Sequence, residues 1–212
     1  MRPDSGRIRL VLGLRKGGIT ETRVLAVMEK VPREMFVPET FRDQAYDATA
    51  LPIGHHQTVS EPLVVAQMTQ ALEVGERHKI LEIGTGSGYQ ATILARLCRR
   101  LYTIERHADL LREAEARFAH LRLTNITSQV GDGTLGWPRQ APFDRIMVTA
   151  AAVVVPETLV GQLAVGGIMV VPIGTSGGSQ RLVRVRRNQD STETEELLKV
   201  RFVPLVNGQE SG

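Results

Sequence analysis

The chain has 212 residues, of which 42% are hydrophobic and 23% are charged. This length suits one domain of ordinary size, and the composition excludes a disordered chain. The formal net charge is only +3 at pH 7, and the basic residues are scattered in short pairs, so we expect no nucleic-acid partner.

The cysteine count and the N-terminus bear on the compartment. The single cysteine, Cys98, excludes an internal disulfide and a multi-cysteine zinc site. No apolar stretch approaches the roughly 20 residues of a membrane span, and the apolar run at 10–14 is too short for a signal peptide. We therefore expect a cytoplasmic protein without a membrane partner.

The first part of the chain predicts helices and loops. Thr20 is a plausible N-cap for a helix, and the chain then turns through Pro32 and Pro38. Residues 39–61 show no clean period. A further helix is predicted from about Glu61, with Pro62 in its first turn.

From residue 79 onward, short apolar runs alternate with helical stretches. Strands are predicted at 79–83, 101–104, 126–130, 145–149, 168–173, 181–187 and 197–202, and helices at 89–99, 108–121 and 157–163. Such alternation indicates crossover connections and a parallel sheet covered on both faces. The predicted fold class is therefore α/β, a doubly wound, mostly parallel, Rossmann-like sheet with an N-terminal helical extension.

A glycine-rich loop, Glu82-Ile-Gly84-Thr-Gly86-Ser-Gly88, follows the first strand of this regular part. Open α/β sheets bind ligands at the carboxyl ends of their strands, and glycines let a ligand approach the backbone closely. Glu105 ends the next strand, 21 residues after Gly84, where a carboxylate can accept hydrogen bonds from ribose hydroxyls. Together these features predict a nucleoside-containing cofactor, whereas a tight turn without a ligand is the alternative.

The glycine spacing indicates which cofactor. Dinucleotide-binding proteins usually show G-x-G-x-x-G. The G-x-G-x-G spacing after an acidic residue instead resembles the first motif of S-adenosylmethionine-dependent methyltransferases. Asp132, after the third strand, could accept a hydrogen bond from an adenine amino group. The predicted cofactor-binding residues are Glu82, Gly84, Thr85, Gly86, Ser87, Gly88, Glu105, Asp132 and Gly133.

Other stretches carry a more specific resemblance. Residues 31–38 (VPREMFVP), 57–62 (QTVSEP), 136–138 (GWP) and 201–205 (RFVPL), with the glycine loop, resemble the protein-L-isoaspartate O-methyltransferase family over about residues 20–206. The resemblance implies transfer of a methyl group from S-adenosyl-L-methionine to the free α-carboxylate of L-isoaspartyl and, less well, D-aspartyl residues in damaged proteins. The product would be S-adenosyl-L-homocysteine, and the ester would close to a succinimide that starts repair. It also implies an unusual order of the last two strands.

The chemistry of this reaction requires few residues. An α-carboxyl group has a pKa near ~3.5, so no general base is required at neutral pH. The resemblance gives Ser60 the catalytic role, because its hydroxyl could orient the carboxylate and leave an oxygen lone pair free. Thr58 and Val59 are the predicted substrate-binding residues. The alternative for Ser60 is that it only caps the following helix.

The pattern of helices and strands along the chain gives its division into parts. Residues 1–212 are expected to form one methyltransferase domain that acts as a monomer. Within it, residues 1–78 form an extension that contributes to the substrate site, 79–175 form the cofactor-binding core, and 176–212 supply the C-terminal strands. Residues 1–19 carry no pattern from which we draw a prediction.

Two substitutions relative to the family's usual pattern fall near the predicted catalytic serine. The family commonly has Gly at 56 and Gln at 61, where this chain has His56 and Glu61. A carboxylate at 61 would repel an anionic substrate unless its side chain points away or interacts with the helix N-terminus. His55 and His56 are expected to line the mouth of the site, and no metal site is expected.

The sequence also bears on three alternative functions. A nicotinamide-dependent oxidoreductase would need the wider glycine spacing. A nucleic-acid methyltransferase would typically carry an Asn/Asp-Pro-Pro-aromatic or a Pro-Cys motif, and the sequence contains neither. A domain that binds the cofactor without turnover stays open, and cofactor binding without methyl transfer would distinguish it.

Overall fold

The computed structural model describes residues 3–175 and 177–208, so the expected boundaries at residues 1, 176 and 212 lie outside it. The helices are α1 Pro3–Lys16, α2 Thr22–Lys30, α3 Pro62–Ala71, α4 Tyr89–Ala95, α5 Ala108–His120 and α6 Glu157–Val160. The strands are β1 Leu51–Gly54, β2 Gln57–Val59, β3 Lys79–Ile83, β4 Arg100–Glu105, β5 Ile126–Val130, β6 Phe143–Val148, β7 Leu163–Ile173, β8 Gln180–Arg187 and β9 Thr192–Val200. Short 3-10 helices cover Arg33–Phe36, Glu39–Gln44, Gly133–Leu135 and Pro138–Gln140.

Seven strands form one sheet in the order β5-β4-β3-β6-β7-β8-β9. Strands β3 to β7 are parallel, whereas β8 runs antiparallel to β7, and β9 runs antiparallel to β8. The last two strands therefore lie in chain order at one edge, where β9 exposes residues 192–196. This mostly parallel sheet confirms the predicted α/β fold class.

Two hydrophobic clusters cover opposite faces of the sheet. Ile80 of β3 belongs to the cluster that includes α3, α4 and α5, whereas its neighbours Leu81 and Ile83 belong to the cluster on the other face. Strands that are buried on both faces read as continuous apolar runs, which is why β3 was predictable. A third cluster joins α1, α2 and the β1–β2 hairpin to α4.

Several elements differ from the sequence-based prediction. Helix α1 was not predicted. Its side chains Leu10 and Leu14 are buried, but Ile8 and Leu12 are more than half exposed, so the helix shows no clean apolar face. Glu21 caps α2 by accepting a hydrogen bond from the backbone N–H of Arg23, one residue later than predicted.

The other differences concern element ends. Helix α4 ends at Ala95 instead of residue 99, and α6 is a single turn. Strand β7 begins at Leu163, five residues before its predicted start, and passes through Gly166 and Gly167. The register of its pairing with β6 shifts near the start of β6. Strand β9 begins at Thr192 because a polar strand is tolerated at a sheet edge, where its side chains reach water.

Candidate active site

A cavity of about 630 Å³ lies at the carboxyl ends of β3, β4 and β6. Its volume falls in the range of pockets for small molecules. Four segments provide most of its wall: residues 57–61 with the start of α3, the glycine loop, the residues after β4, and the C-terminal segment 199–206. The predicted residues in this wall are Thr58, Val59, Ser60, Gly84, Thr85, Gly86, Ser87, Glu105 and Gly133.

The glycine loop has a backbone that side chains would obstruct. Gly84, Gly86 and Gly88 all have positive φ, at 90°, 52° and 85°, a region that L-residues rarely adopt. A Cβ at Gly84 would lie 2.3 Å from Thr149 Oγ1, and one at Gly88 would lie 2.7 Å from a ring carbon of Phe118. Gly88 does not line the cavity; its role is to let α4 begin against α5.

Glu105 holds the loop and lines the cavity at the same time. One carboxylate oxygen accepts a hydrogen bond from the backbone N–H of Gly86 at 2.8 Å. The other accepts from the backbone N–H groups of Arg106 and His107 at 2.8 and 3.1 Å. The carboxylate is thus fixed by three backbone donors, and because Glu105 lines the cavity, its remaining lone pairs could accept hydrogen bonds from hydroxyl groups of a ligand.

Glu82 lies beneath the loop and not in the cavity wall. Its side chain is fully buried, and Oε2 accepts a hydrogen bond from Thr103 Oγ1 at 2.6 Å. The Thr103 hydroxyl lies 2.6 Å from Thr85 Oγ1, so Glu82 reaches the loop through two hydroxyls. Burial raises the pKa of Glu82 to about 8, and Glu82 Oε1 is buried without a hydrogen-bond partner among the residues that the structure describes.

Asp132 and Gly133 have separate positions. Gly133 lines the cavity, and a Cβ there would lie 2.3 Å from Ile83 Cγ2. The Asp132 carboxylate lies outside the wall: Oδ1 accepts from the backbone N–H of Thr134, and Oδ2 accepts from that of Gly208 at 2.7 Å. Partial burial acts to raise the pKa of Asp132, but the hydrogen bond from the Thr134 hydroxyl, together with those from the backbone N–H groups of Gly208 and Thr134, outweighs it and lowers the pKa.

Ser60 is available for a ligand. The N-cap residue of α3 is Glu61, and no side-chain hydrogen bond caps this helix, so the structure contradicts the alternative that Ser60 is a helix cap. The half-buried Ser60 hydroxyl makes no hydrogen bond within the described part of the chain. Its carbonyl oxygen, in contrast, accepts a hydrogen bond from Arg33 Nη2 at 2.9 Å.

The two positions that depart from the family pattern have different environments. Glu61 is half-buried, lines the cavity next to Ser60, and makes no ion pair among the described residues. His55 and His56 form the two-residue turn between β1 and β2, both with positive φ, and neither lines the cavity. The expectation that they line its mouth was therefore wrong; His55 Nε2 instead lies 2.6 Å from Asp109 Oδ2.

The C-terminal segment was missed as part of the site, although residues 201–205 contributed to the family resemblance. It crosses the carboxyl ends of the strands, because Ala151 exchanges backbone hydrogen bonds with Val203 and Leu205. The side chain of Gln180 also bonds both backbone groups of Phe202. A contact so distant in sequence leaves no local pattern.

The positions of the potential metal ligands and of the single thiol also bear on the chemistry of this site. Within residues 3–175 and 177–208, no group of three potential metal-ligating side chains comes together. Cys98 is buried away from the cavity, and burial raises the pKa of its thiol to about 12. In the same described residues, no helix has both the length and the hydropathy to cross a membrane.

Comparison with known proteins identifies the family. Residues 6–210 match the family model for "Protein-L-isoaspartate(D-aspartate) O-methyltransferase (PCMT)". The chain is 60% identical over 210 residues to the protein-L-isoaspartate O-methyltransferase of Rhodospirillum rubrum, covering 98% of this chain and 96% of that protein. It is 62% identical over 202 residues to that of Paramagnetospirillum magneticum, covering 95% and 94%.

Solved structures agree with this result. A protein-L-isoaspartate O-methyltransferase superposes with a TM-score of 0.85 at 25% identity, covering 95% of this chain and 66% of that one. A Plasmodium falciparum beta-aspartate methyltransferase in complex with S-adenosyl-L-homocysteine shares the fold, with a TM-score of 0.80 at 23% identity, covering 94% and 98%. The chain belongs to the protein-L-isoaspartate(D-aspartate) O-methyltransferase family.

Proposed function

We propose that this protein transfers the methyl group of S-adenosyl-L-methionine to the free α-carboxylate of L-isoaspartyl residues in damaged proteins and peptides, and less well to that of D-aspartyl residues. The methyl ester then closes to a succinimide, which can reopen to normal aspartate. The observation that carries the proposal is the Ser60 hydroxyl, which has no hydrogen-bond partner among the described residues and lies in the same cavity wall as the glycine loop and Glu105.

The residues of the cavity fit a nucleoside cofactor. Gly86 leaves room, because the nearest atom to a Cβ placed there is Ile53 Cδ1 at 3.5 Å. Glu105 would accept hydrogen bonds from ribose hydroxyls, and the backbone of residues 84–88 would lie against the rest of the molecule. Bound S-adenosyl-L-methionine supplies an electrophilic methyl group on a positively charged sulfur.

Two predicted cofactor residues would act indirectly. Glu82, below the loop, supports Thr85 through Thr103, and Gly88 allows the turn into α4. The Asp132 carboxylate is already bonded to Thr134 and Gly208, so an adenine contact would use its remaining lone pairs. Gly133 is the part of that segment that reaches the cavity.

Ser60 and its neighbours would orient the substrate. The substrate carboxylate is ionised at neutral pH, so the protein needs no general base. A neutral hydroxyl donor orients a carboxylate oxygen while withdrawing less electron density from it than a cation would. Thr58 and Val59, in the strand that leads to Ser60, would contact the substrate backbone. The wall formed by segment 199–206 would exclude water, which favours a reaction that removes two opposite charges.

The remaining parts of the proposal concern the partners and the compartment. We take the enzyme to act as a monomer, with Ser60, the glycine loop and Glu105 of the same chain around one cavity. A cytoplasmic location is supported by a single buried thiol, which suits a reducing compartment. Damaged polypeptides are the proposed partners, and nucleic acid is not among them.

The test is methyl transfer from labelled S-adenosyl-L-methionine to a peptide with one L-isoaspartyl residue, beside its aspartyl twin. We expect label on the isoaspartyl peptide alone. A hydrogen bond to a charged group is worth about 1.5–3 kcal/mol, so Ser60→Ala should lower turnover about 10- to 100-fold without weakening cofactor binding. Ser128→Ala is the matched control, since that hydroxyl bonds Glu115 outside the cavity.

The outcomes separate the alternatives. Label on neither peptide, with S-adenosyl-L-homocysteine still bound in calorimetry, would favour a domain that binds the cofactor without turnover. Equal label on both peptides would refute recognition of the isoaspartyl group. Unchanged turnover in Ser60→Ala would remove the catalytic role of that hydroxyl.

A further inference from the structure

Arg33 is a buried cation that the reaction described above does not use. It begins the 3-10 helix Arg33–Phe36, and its exposed fraction is 0%. Among the described residues, no carboxylate oxygen lies within 4.0 Å of its guanidinium nitrogens. Nη1 is buried and has no hydrogen-bond partner within residues 3–175 and 177–208. Burying a cation without a close counter-charge is costly, so its contacts should serve a purpose beyond filling space.

The guanidinium connects three segments around the cavity. Nε donates to the carbonyl oxygen of Ala45 at 2.7 Å, three residues before the cavity-lining segment 48–50. Nη2 donates to the carbonyl oxygen of Ser60 at 2.9 Å. The guanidinium carbon lies 4.7 Å from the ring centroid of Tyr89, which lines the cavity and follows the glycine loop directly.

The contact with Ser60 fixes a backbone group that α3 leaves unpaired. Because Glu61 is the N-cap residue, the carbonyl of Ser60 lies outside the helix, and the first helical hydrogen bond accepted here is that of Glu61 from Val65. Arg33 supplies the donor instead. Holding this carbonyl restricts the rotation of the Ser60 backbone and therefore the position of Oγ.

We propose that Arg33 is a positioning residue that sets the Ser60 hydroxyl against the glycine loop, through the Ser60 carbonyl on one side and the Tyr89 ring on the other. This inference rests on the proposed methyl transfer and on Ser60 as the substrate-orienting group. Displacements of about 1 Å at a reacting centre can cost about 100-fold in rate.

Arg33→Lys tests the geometry while keeping the charge. A lysine ammonium is a point donor without the planar fork, so it cannot bond both carbonyls in the same way and cannot reproduce the guanidinium contact with the Tyr89 ring. We expect kcat on the isoaspartyl peptide to fall about 10- to 100-fold. We expect KM for the peptide to stay within about threefold and Kd for S-adenosyl-L-homocysteine within about twofold, because neither ligand touches Arg33.

Arg145→Lys is the matched control. Arg145 Nε donates to the carbonyl of Leu72 at 2.7 Å and Nη1 donates to that of Asp144 at 2.7 Å, so it also joins two carbonyls. It lies near the start of β6, at the end of the sheet away from the cavity. This variant should lose comparable thermal stability, with kcat within about twofold of the wild type.

The outcomes distinguish this role from a structural one. If folded Arg33→Lys lowers kcat no more than Arg145→Lys, or lowers kcat and cofactor affinity in parallel, the positioning role is overturned. If Arg33→Lys does not fold, Tyr89→Leu provides the test, because this variant removes the ring and keeps both hydrogen bonds from Arg33 to the carbonyl groups. We expect Tyr89→Leu to lower kcat about threefold or more. An unchanged kcat in this variant overturns the proposal. An inactive wild type would instead refute the proposed function itself.

Discussion

The buried carboxyl of Glu82 leads to a prediction about stability as a function of pH. Burial raises its pKa from the ordinary value of 4.5 to about 8, while Thr103 donates only one hydrogen bond to it. The folded protein therefore binds this proton more tightly than the unfolded chain does. The contribution to stability is full below about pH 4.5 and is lost as the pH rises through about 8.

The size of the stability change follows from the difference between the ordinary pKa of Glu82 and its pKa in the folded protein. Each pH unit is worth about 1.4 kcal/mol, so the interval from 4.5 to about 8 corresponds to roughly 5 kcal/mol. For a chain of this length, Tm shifts by about 2–4 °C per kcal/mol, so the effect on Tm is roughly 10–20 °C. Glu82→Gln has the shape of the protonated acid and should lack this loss.

The assay is urea or thermal unfolding of the wild type and of Glu82→Gln, without cofactor, at about pH 5 and about pH 9. The variant should match the wild type at the lower pH and be several kcal/mol more stable at the higher pH. Glu29→Gln, an exposed position on α2, controls for the loss of one charge. If Glu82→Gln loses as much stability as the wild type between the two pH values, the buried carboxyl does not titrate as argued.

Two further substitutions test the cavity wall. Glu105→Gln should weaken S-adenosyl-L-homocysteine binding by about 1.5–3 kcal/mol in titration calorimetry, because a charged acceptor at the cavity edge is lost; an unchanged Kd would contradict the ribose role. Glu61→Gln should raise kcat/KM on isoaspartyl peptides. The gain should be larger at low salt, because ions screen the repulsion between Glu61 and the substrate carboxylate. A gain that does not depend on salt would show that the Glu61 carboxylate does not act on the substrate.

The central strands of the sheet could be predicted because they are buried on both faces. Ile80 and Ile83 of β3 are buried on opposite faces, so the strand shows apolar residues on both sides, and the glycine loop follows it directly. The family comparison confirms the predicted family. Helix α1 could not be predicted, since Gly6 and Gly13 lower its helix propensity and Ile8 places an apolar side chain on the exposed face.

The β1–β2 hairpin and the cavity wall formed by segment 199–206 could not be predicted from the sequence, for different reasons. A two-residue hairpin turn with positive φ is usually marked by Asn-Gly or Asp-Gly, whereas here His55 and His56 occupy it. Arg33 reaches the Ser60 carbonyl, and the segment 199–206 reaches the cavity, only through tertiary packing, and a single sequence carries no local signal for such contacts.

The outer strand of the sheet bears on how this enzyme meets its substrates. An edge strand presents backbone groups that can pair with another chain, and damaged or partly unfolded polypeptides are prone to such pairing. Strand β9 exposes Thr192, Glu193, Thr194, Glu195 and Glu196 at that edge. Glu195 and Glu196 form ion pairs with Arg184 and Arg181 of β8, so this edge carries charged side chains of both signs. Charged side chains on an edge strand disfavour the approach of a second strand, and we therefore expect β9 to resist pairing with the polypeptides that this enzyme meets.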